Sequence, residues 1–167
     1  MKNKLIIALV ASVFGMTSCT AQNDTTKVEA PAKKPAGGYN ILTPQQQYVI
    51  INKGTDRAFT GDYYDKTDKG LYICRQCNAP LYESTDKFES HCGWPSFDQE
   101  IKGSVIRVPD ADGQRVEIIC SNCKGHLGHV FVGEGFTDKD TRHCVNTSSI
   151  QFIPADKVKD VPAMIRQ

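Results

Sequence analysis

The sequence predicts a mainly β domain, mostly antiparallel and with little helix, on three observations. After Gly61 the chain breaks into short β-rich or alternating runs, turn signals separate those runs, and two of them lead straight into a Cys-x-x-Cys. A length of 167 residues allows one ordinary domain with accessory sequence, not two full domains. Hydrophobic residues at 40% and charged residues at 23% sit near globular averages, which argues against wholesale disorder and against a multi-span membrane protein. Twenty basic and nineteen acidic side chains leave a net charge of +1, so the broad positive field of a nucleic-acid binder is missing and no nucleic-acid partner is expected.

Taken in order, Lys2 and Lys4 precede an apolar run from Leu5 to Gly15 and then Met16-Thr17-Ser18-Cys19. The run is too short to span a bilayer and reads as a secretory signal over residues 1–18. Small residues ahead of a Cys resemble a bacterial lipobox, with Met16 where that motif usually has Leu, so Cys19 is the expected lipidation site. The alternative is a plain secreted protein cleaved nearby. Residues 19–38, rich in Ala, Thr, Lys and Pro, cannot bury enough surface to order themselves and read as a tether. The domain then occupies 39–167, on a protein expected to be exported to the periplasmic side and held to a bacterial membrane by its lipid anchor alone.

Thr43 is a plausible N-cap with Pro44 at the first helical position, and Gln45 to Asn52 can form a short helix ending near Gly54. The expected strands are Leu71–Ile73, Val105–Val108, Arg115–Ile119, His129–Val132 and Ser149–Ile153, with turns at Asp68-Lys69-Gly70 and Asp110-Ala111-Asp112-Gly113.

The seven cysteines carry the chemistry. Leu71-Tyr72-Ile73 runs into Cys74-x-x-Cys77, and Val116 to Ile119 runs into Cys120-x-x-Cys123. If their strands pair, the two knuckles present four thiolates to one tetrahedral centre, the closed coordination of structural zinc, stapling two parts of a larger sheet. A pair of disulfides is the alternative, although each would close only a tiny loop. Haem attachment needs His directly after the second Cys, where Asn78 and Lys124 stand, and a thioredoxin-like motif needs a βαβ setting that is absent here.

Cys92 and Cys144 remain. They could form a structural disulfide, but at alternate strand positions Arg142, Cys144 and Asn146 would share one face. A cation beside a thiol favours the thiolate and an amide can orient it, which describes a nucleophile. His126 and His129, just past the second knuckle, read either as ordinary surface or core residues, as replacement metal ligands, or as proton carriers. Trp94, the single Trp, reads as core or as the apolar wall of a small pocket.

With Cys-x-x-Cys twice, Cys-Gly-Trp-Pro-Ser-Phe, His-Leu-Gly-His and Arg-His-Cys-Val-Asn in this order, the sequence resembles methionine sulfoxide reductase B over about residues 40 to 154. Leu42-Thr43-Pro44, Ala79-Pro80-Leu81-Tyr82 and Lys87-Phe88-Glu89-Ser90 are weaker matches. The resemblance implies two packed antiparallel β-sheets with a few short helices and reduction of the R epimer of methionine sulfoxide, free or in proteins. It places the catalytic cysteine on Cys144, the resolving cysteine on Cys92 and the zinc ligands on Cys74, Cys77, Cys120 and Cys123. Trp94, His126, His129, Arg142 and Asn146 would surround or polarise the sulfoxide, with His129, assisted by His126 through a hydrogen bond or water, delivering a proton to its oxygen. Cys144 would pass through a sulfenic acid to a Cys92–Cys144 disulfide, reduced by a thioredoxin-like protein. A monomer is expected. Two departures stand out: His91 replaces the Gly of many members before the resolving cysteine, and Val132-Gly133-Glu134-Gly135 replaces the commoner Pro-Asp-Gly-Pro, leaving Glu134 as the nearest substitute for that Asp.

Overall fold

The computed structural model describes residues 38–166; the expected signal segment, Cys19 and nearly all of the tether lie outside them. The chain opens with helix α1, Pro44–Ile50. Thr43 accepts a hydrogen bond from the Gln46 backbone N–H, and the Gln46 side chain accepts one back from the Thr43 N–H, a reciprocal cap around a proline that has no N–H to satisfy. The helix ends two residues before the expected Asn52. Val49 and Ile50 are its buried face.

Nine strands follow: β1 Gly70–Cys74, β2 Pro80–Glu83, β3 Lys87–Phe88, β4 Ser96–Phe97, β5 Val105–Pro109, β6 Val116–Cys120, β7 His126–Val132, β8 Thr141–Val145 and β9 Ile150–Pro154. They form two sheets, β2-β1-β9 and β3-β4-β8-β7-β6-β5, and every pairing is antiparallel. The mainly β, two-sheet expectation holds, and each of the five expected strands is present. Strand β8 is implied by the alternation of Arg142 and Cys144; the unexpected ones, β2, β3 and β4, are four, two and two residues long, too short for an alternating pattern to declare itself.

Aromatic rings join the sheets. Tyr72 of β1 and Tyr82 of β2 meet Phe97 of β4, Tyr82 stacked on it at 4.3 Å between ring centroids and Tyr72 edge-on at 5.0 Å. All three are fully buried. Each ring contributes about 2–3 kcal/mol by leaving water, and the paired geometry adds about 1 kcal/mol.

The two knuckles take the same shape. Cys74 ends β1, its carbonyl accepts from the Asn78 N–H at 2.8 Å, and its N–H donates to Ala79 at 2.8 Å; Cys120 ends β6 and does the same with Lys124 and Gly125, both at 2.9 Å. Asn78 and Lys124 occupy matching left-handed conformations with φ near +62° and +61°. The expected pairing of their strands does not occur: β1 and β6 belong to different sheets. The knuckles meet because the sheets pack face to face, so the four sulfurs tie sheet to sheet instead of stapling one sheet.

Strand β8 sits between β4 and β7, and its register decides the neighbours of Cys144. Ser96 stands opposite it on one side and His129 on the other.

Candidate active site

The pairing of β8 with β4 brings Cys144 toward the loop that precedes β4, and Cys92 Sγ lies 3.9 Å from Cys144 Sγ. Both cysteines are free and partly accessible. The two sulfurs hold one proton between them. The Cys92 thiol is pushed down to about 4, chiefly because Cys144 donates to it and also because Ser90 does. The Cys144 thiol is pushed up, first by making that donation and then by burial. Arg142 lies on the Cys144 face of β8 as the alternation requires, yet its Nη1 reaches Cys92 Sγ, at 3.5 Å. The cation expected to ionise Cys144 therefore serves the pair, and the resting charge sits on Cys92.

A cavity of about 170 Å³ opens beside Cys144, lined by Trp94, Gly128, His129, Phe131, Asn146 and neighbours, and Cys92 does not line it. Trp94 is thus a pocket wall. Its indole N–H donates to the Asp56 carbonyl at 2.9 Å, while the Asp56 N–H donates to Asn146 Oδ1 at 2.9 Å. The Asp56 carboxylate is itself fixed by the Ser148 N–H and hydroxyl, both at 2.7 Å, and by Gln45 at 3.0 Å. One loop residue thereby sets the position of two pocket side chains.

Gly128 makes the close approach of β7 to β8 possible. At φ +151° a Cβ there would stand 2.0 Å from the Cys144 carbonyl oxygen, so only glycine fits between the histidines of His-Leu-Gly-His.

His129 lines the cavity and its Nε2 lies 2.6 Å from Asp110 Oδ2, which Arg115 also contacts at 3.0 Å. The hydrogen bond from His129 holds the Asp110 carboxyl below its usual range. His126 is placed differently. It is buried, its Nδ1 lies 2.7 Å from Glu117 Oε1, and Glu117 in turn meets Lys53 at 2.7 Å. Burial lowers the His126 pKa more than Glu117 raises it, so the imidazole is neutral near pH 7. The two rings stand edge to face at 5.5 Å between centroids, and each directs a nitrogen to its own carboxylate. Of the two expected links between them, a hydrogen bond or a water, the direct hydrogen bond is not formed.

Arg142 is clamped on both sides. Glu134 receives its Nε at 2.7 Å and its Nη2 at 2.9 Å, and the guanidinium lies 4.5 Å over the Phe131 ring. That fork pulls the Glu134 carboxyl below its usual range. His91 has φ +56°, a conformation that favours glycine, and its side chain is exposed.

The Cys74, Cys77, Cys120 and Cys123 sulfurs all lie within 4.8 Å of one another, with Cys74 and Cys123 at 3.6 Å and Cys77 and Cys120 at 3.7 Å. A metal bound by four sulfurs at about 2.3 Å in a tetrahedron requires edges of about 3.8 Å. The centre fits a tetrahedral metal and leaves no position open on it.

Two thiols within reach of each other, one of them facing a small aromatic pocket, define the class of protein: a thiol-based oxidoreductase. Comparison with known proteins makes the class specific. A SelR domain profile matches residues 42–154. Peptide methionine sulfoxide reductase B3 of Arabidopsis thaliana is 53% identical over 158 residues, covering 90% of each chain. Peptide methionine sulfoxide reductase B5 of Oryza sativa subsp. japonica is 53% identical over 116 residues, 69% of this chain and 85% of its own. The chloroplastic B2 enzyme of Arabidopsis is 52% identical, and the match spans 57% of its length. The chain belongs to the SelR domain family, together with the peptide methionine sulfoxide reductases B.

Several site residues escape a reading of the sequence alone. Glu117 left one trace, a charge inside the apolar run Val116 to Ile119. Asp110 read as part of a turn, and Asp56, Ser90 and Ser96 drew no role of their own. Asp56 and its partner Asn146 are 90 residues apart, and even the nearer pairs, such as Glu117 with His126, depend on how the chain turns between them, so only folding reveals them.

Proposed function

We propose that this protein reduces the R epimer of methionine sulfoxide, free or within proteins, with Cys144 as the attacking sulfur and Cys92 as the resolving one. One observation carries this assignment of roles: Cys144 lines the cavity while Cys92 stands 3.9 Å from it and does not. The terminal methyl of the substrate packs on Trp94, a flat apolar face that orients the sulfoxide and helps select one epimer.

A sulfoxide sulfur becomes electrophilic when its oxygen gains a proton. His129, which lines the cavity and is oriented by Asp110, supplies it. As Cys144 attacks sulfur, its own proton passes to the Cys92 thiolate. The oxygen then moves from the substrate sulfur to the Cys144 sulfur: the substrate S–O bond and the transient sulfur–sulfur bond break, the Cys144 S–O bond forms, methionine leaves and Cys144 is a sulfenic acid. Cys92 attacks that sulfur, its proton departs with the oxygen as water, and a Cys92–Cys144 disulfide remains. A thioredoxin-like dithiol returns both cysteines to thiols.

Cys74, Cys77, Cys120 and Cys123 would hold zinc, whose contribution is to bind the two sheets together, since four thiolates leave no place for substrate. The leader 1–18 and Cys19 would export the domain and anchor it by lipid on the periplasmic side. The test is turnover of separated R and S epimers with a dithiol donor, with mass spectrometry locating the disulfide. Turnover of R alone with a 92–144 bridge is the expected result; equal turnover of both epimers, or no bridge, would refute it.

A further inference from the structure

Cys92 is held by more than its partner thiol. Ser90 Oγ lies 2.9 Å from Cys92 Sγ and 2.7 Å from Ser96 Oγ, and Ser96 Oγ is itself 3.6 Å from the same sulfur. Both serines are buried, Ser96 completely, and Ser96 is the residue opposite Cys144 in the β4–β8 pairing. The Ser90 hydroxyl thus stands between the Cys92 sulfur and Ser96, placed to donate to the sulfur, and the Ser96 hydroxyl lies within reach of Ser90 at 2.7 Å and, more distantly, of the Trp94 carbonyl at 3.4 Å. Arg142 Nη1 closes the other side at 3.5 Å. Among the described residues no hydroxyl lies within hydrogen-bonding distance of Cys144 Sγ. The two sulfurs of the pair are thus unequal: one has a built cradle for negative charge and the other faces the cavity.

We propose that Ser90 is a catalytic residue of the regeneration step: its hydroxyl, positioned by Ser96, stabilises Cys92 as the departing thiolate, so that the external thiol attacks Cys144 and the mixed disulfide forms there. In a thiol–disulfide exchange the sulfur that best carries charge leaves faster. An incoming thiolate forms a bond to Cys144 Sγ and the Cys92–Cys144 bond breaks, with its electron pair going to Cys92 where the hydroxyl and guanidinium already point. The second thiol of the donor, deprotonated, then attacks the donor sulfur bound to Cys144 and expels Cys144. The donor is oxidised to its disulfide and the enzyme gains two electrons. Entry from the cavity is open once methionine has left it.

The inference rests on the 92–144 disulfide being the oxidised state of the enzyme, and it is tested without sulfoxide. The purified protein is oxidised with diamide, exposed briefly to 2-mercaptoethanol, quenched in acid, blocked with N-ethylmaleimide and mapped by mass spectrometry. The expected map has mercaptoethanol on Cys144 and maleimide on Cys92. Mercaptoethanol on Cys92, or a failure of diamide to join the two cysteines, overturns the proposal. Ser90→Ala should slow reduction of the disulfide by dithiothreitol about tenfold, the loss of one hydrogen bond to a developing charge, raise the pH midpoint of Cys92 alkylation and spread the adduct over both cysteines. Ser90→Thr, which keeps the hydroxyl, should restore the wild-type map. An unchanged rate and map in Ser90→Ala would also overturn it, and the wild-type map decides by itself if that variant does not fold. Because diamide replaces the substrate, an enzyme inert toward methionine sulfoxide would refute the proposed function and leave this map standing.

Discussion

Adding one methyl group at Gly128 should separate the reacting groups. The Cβ of a Gly128→Ala variant would lie 2.0 Å from the Cys144 carbonyl oxygen and 3.2 Å from the Val145 Cα, all backbone atoms that no rotamer change can move. Reaching an ordinary contact of about 3.2 Å demands that β7 and β8 part by about 1 Å at the residues where His129 faces Cys144. Loss of two ladder hydrogen bonds at about 1 kcal/mol each, with backbone strain of about 1–2 kcal/mol, predicts a destabilisation of about 3–4 kcal/mol. A displacement of about 1 Å between proton donor and nucleophile predicts a fall of about 100-fold in the sulfoxide step. Urea unfolding measures the first and single-turnover formation of methionine the second. A variant that keeps wild-type stability and rate would refute the close packing of these strands on which the placement of Cys144 depends.

Cys144→Ser should abolish even one reduction, whereas Cys92→Ser should yield one equivalent of methionine and stop at a sulfenic acid, detectable by dimedone labelling; equal loss in both would point to a structural disulfide. Trp94→Ala should raise KM more than it lowers kcat, because the ring binds the methyl and does not react; the reverse split would make it a core residue. Chelation should unfold the domain, with activity falling alongside the loss of circular dichroism and not before it. His143, buried on the far side of β8 between Tyr82, Arg107 and Glu100, has its pKa lowered to about 4, mainly by burial. Its unfolded form gains a proton near pH 6.5 and its folded form only near pH 4. Stability should therefore fall by about 3 kcal/mol as pH drops through that window, and His143→Gln should flatten the slope in acid unfolding curves.

Much of the site was legible because its chemistry is local. A Cys-x-x-Cys after a strand makes the same turn at Cys74 and at Cys120 wherever those strands end up, since the bonds that shape it span four or five residues. Alternation along β8 likewise required Arg142 and Cys144 to share a face, and Thr43-Pro44 with Gln46 began a helix by bonds confined to one turn. The pairing of the knuckle strands failed as an expectation for the complementary reason. Local pattern says that a strand exists but not which edge it meets, and β1 and β6 bury their faces in different sheets.

Residue types and spacings by themselves determined the strand-rich class, the four-sulfur centre and the standing of Cys92 and Cys144 apart from it, since each depends on bonds within a few residues or on simple counting. Tertiary packing alone decided where charge rests between Cys92 and Cys144, that His126 turns to Glu117 while His129 turns to Asp110, and that two serines stand behind one sulfur. A pKa or a hydrogen bond between distant segments depends on distances of a few ångströms, and those are set only when the sheets close on one another.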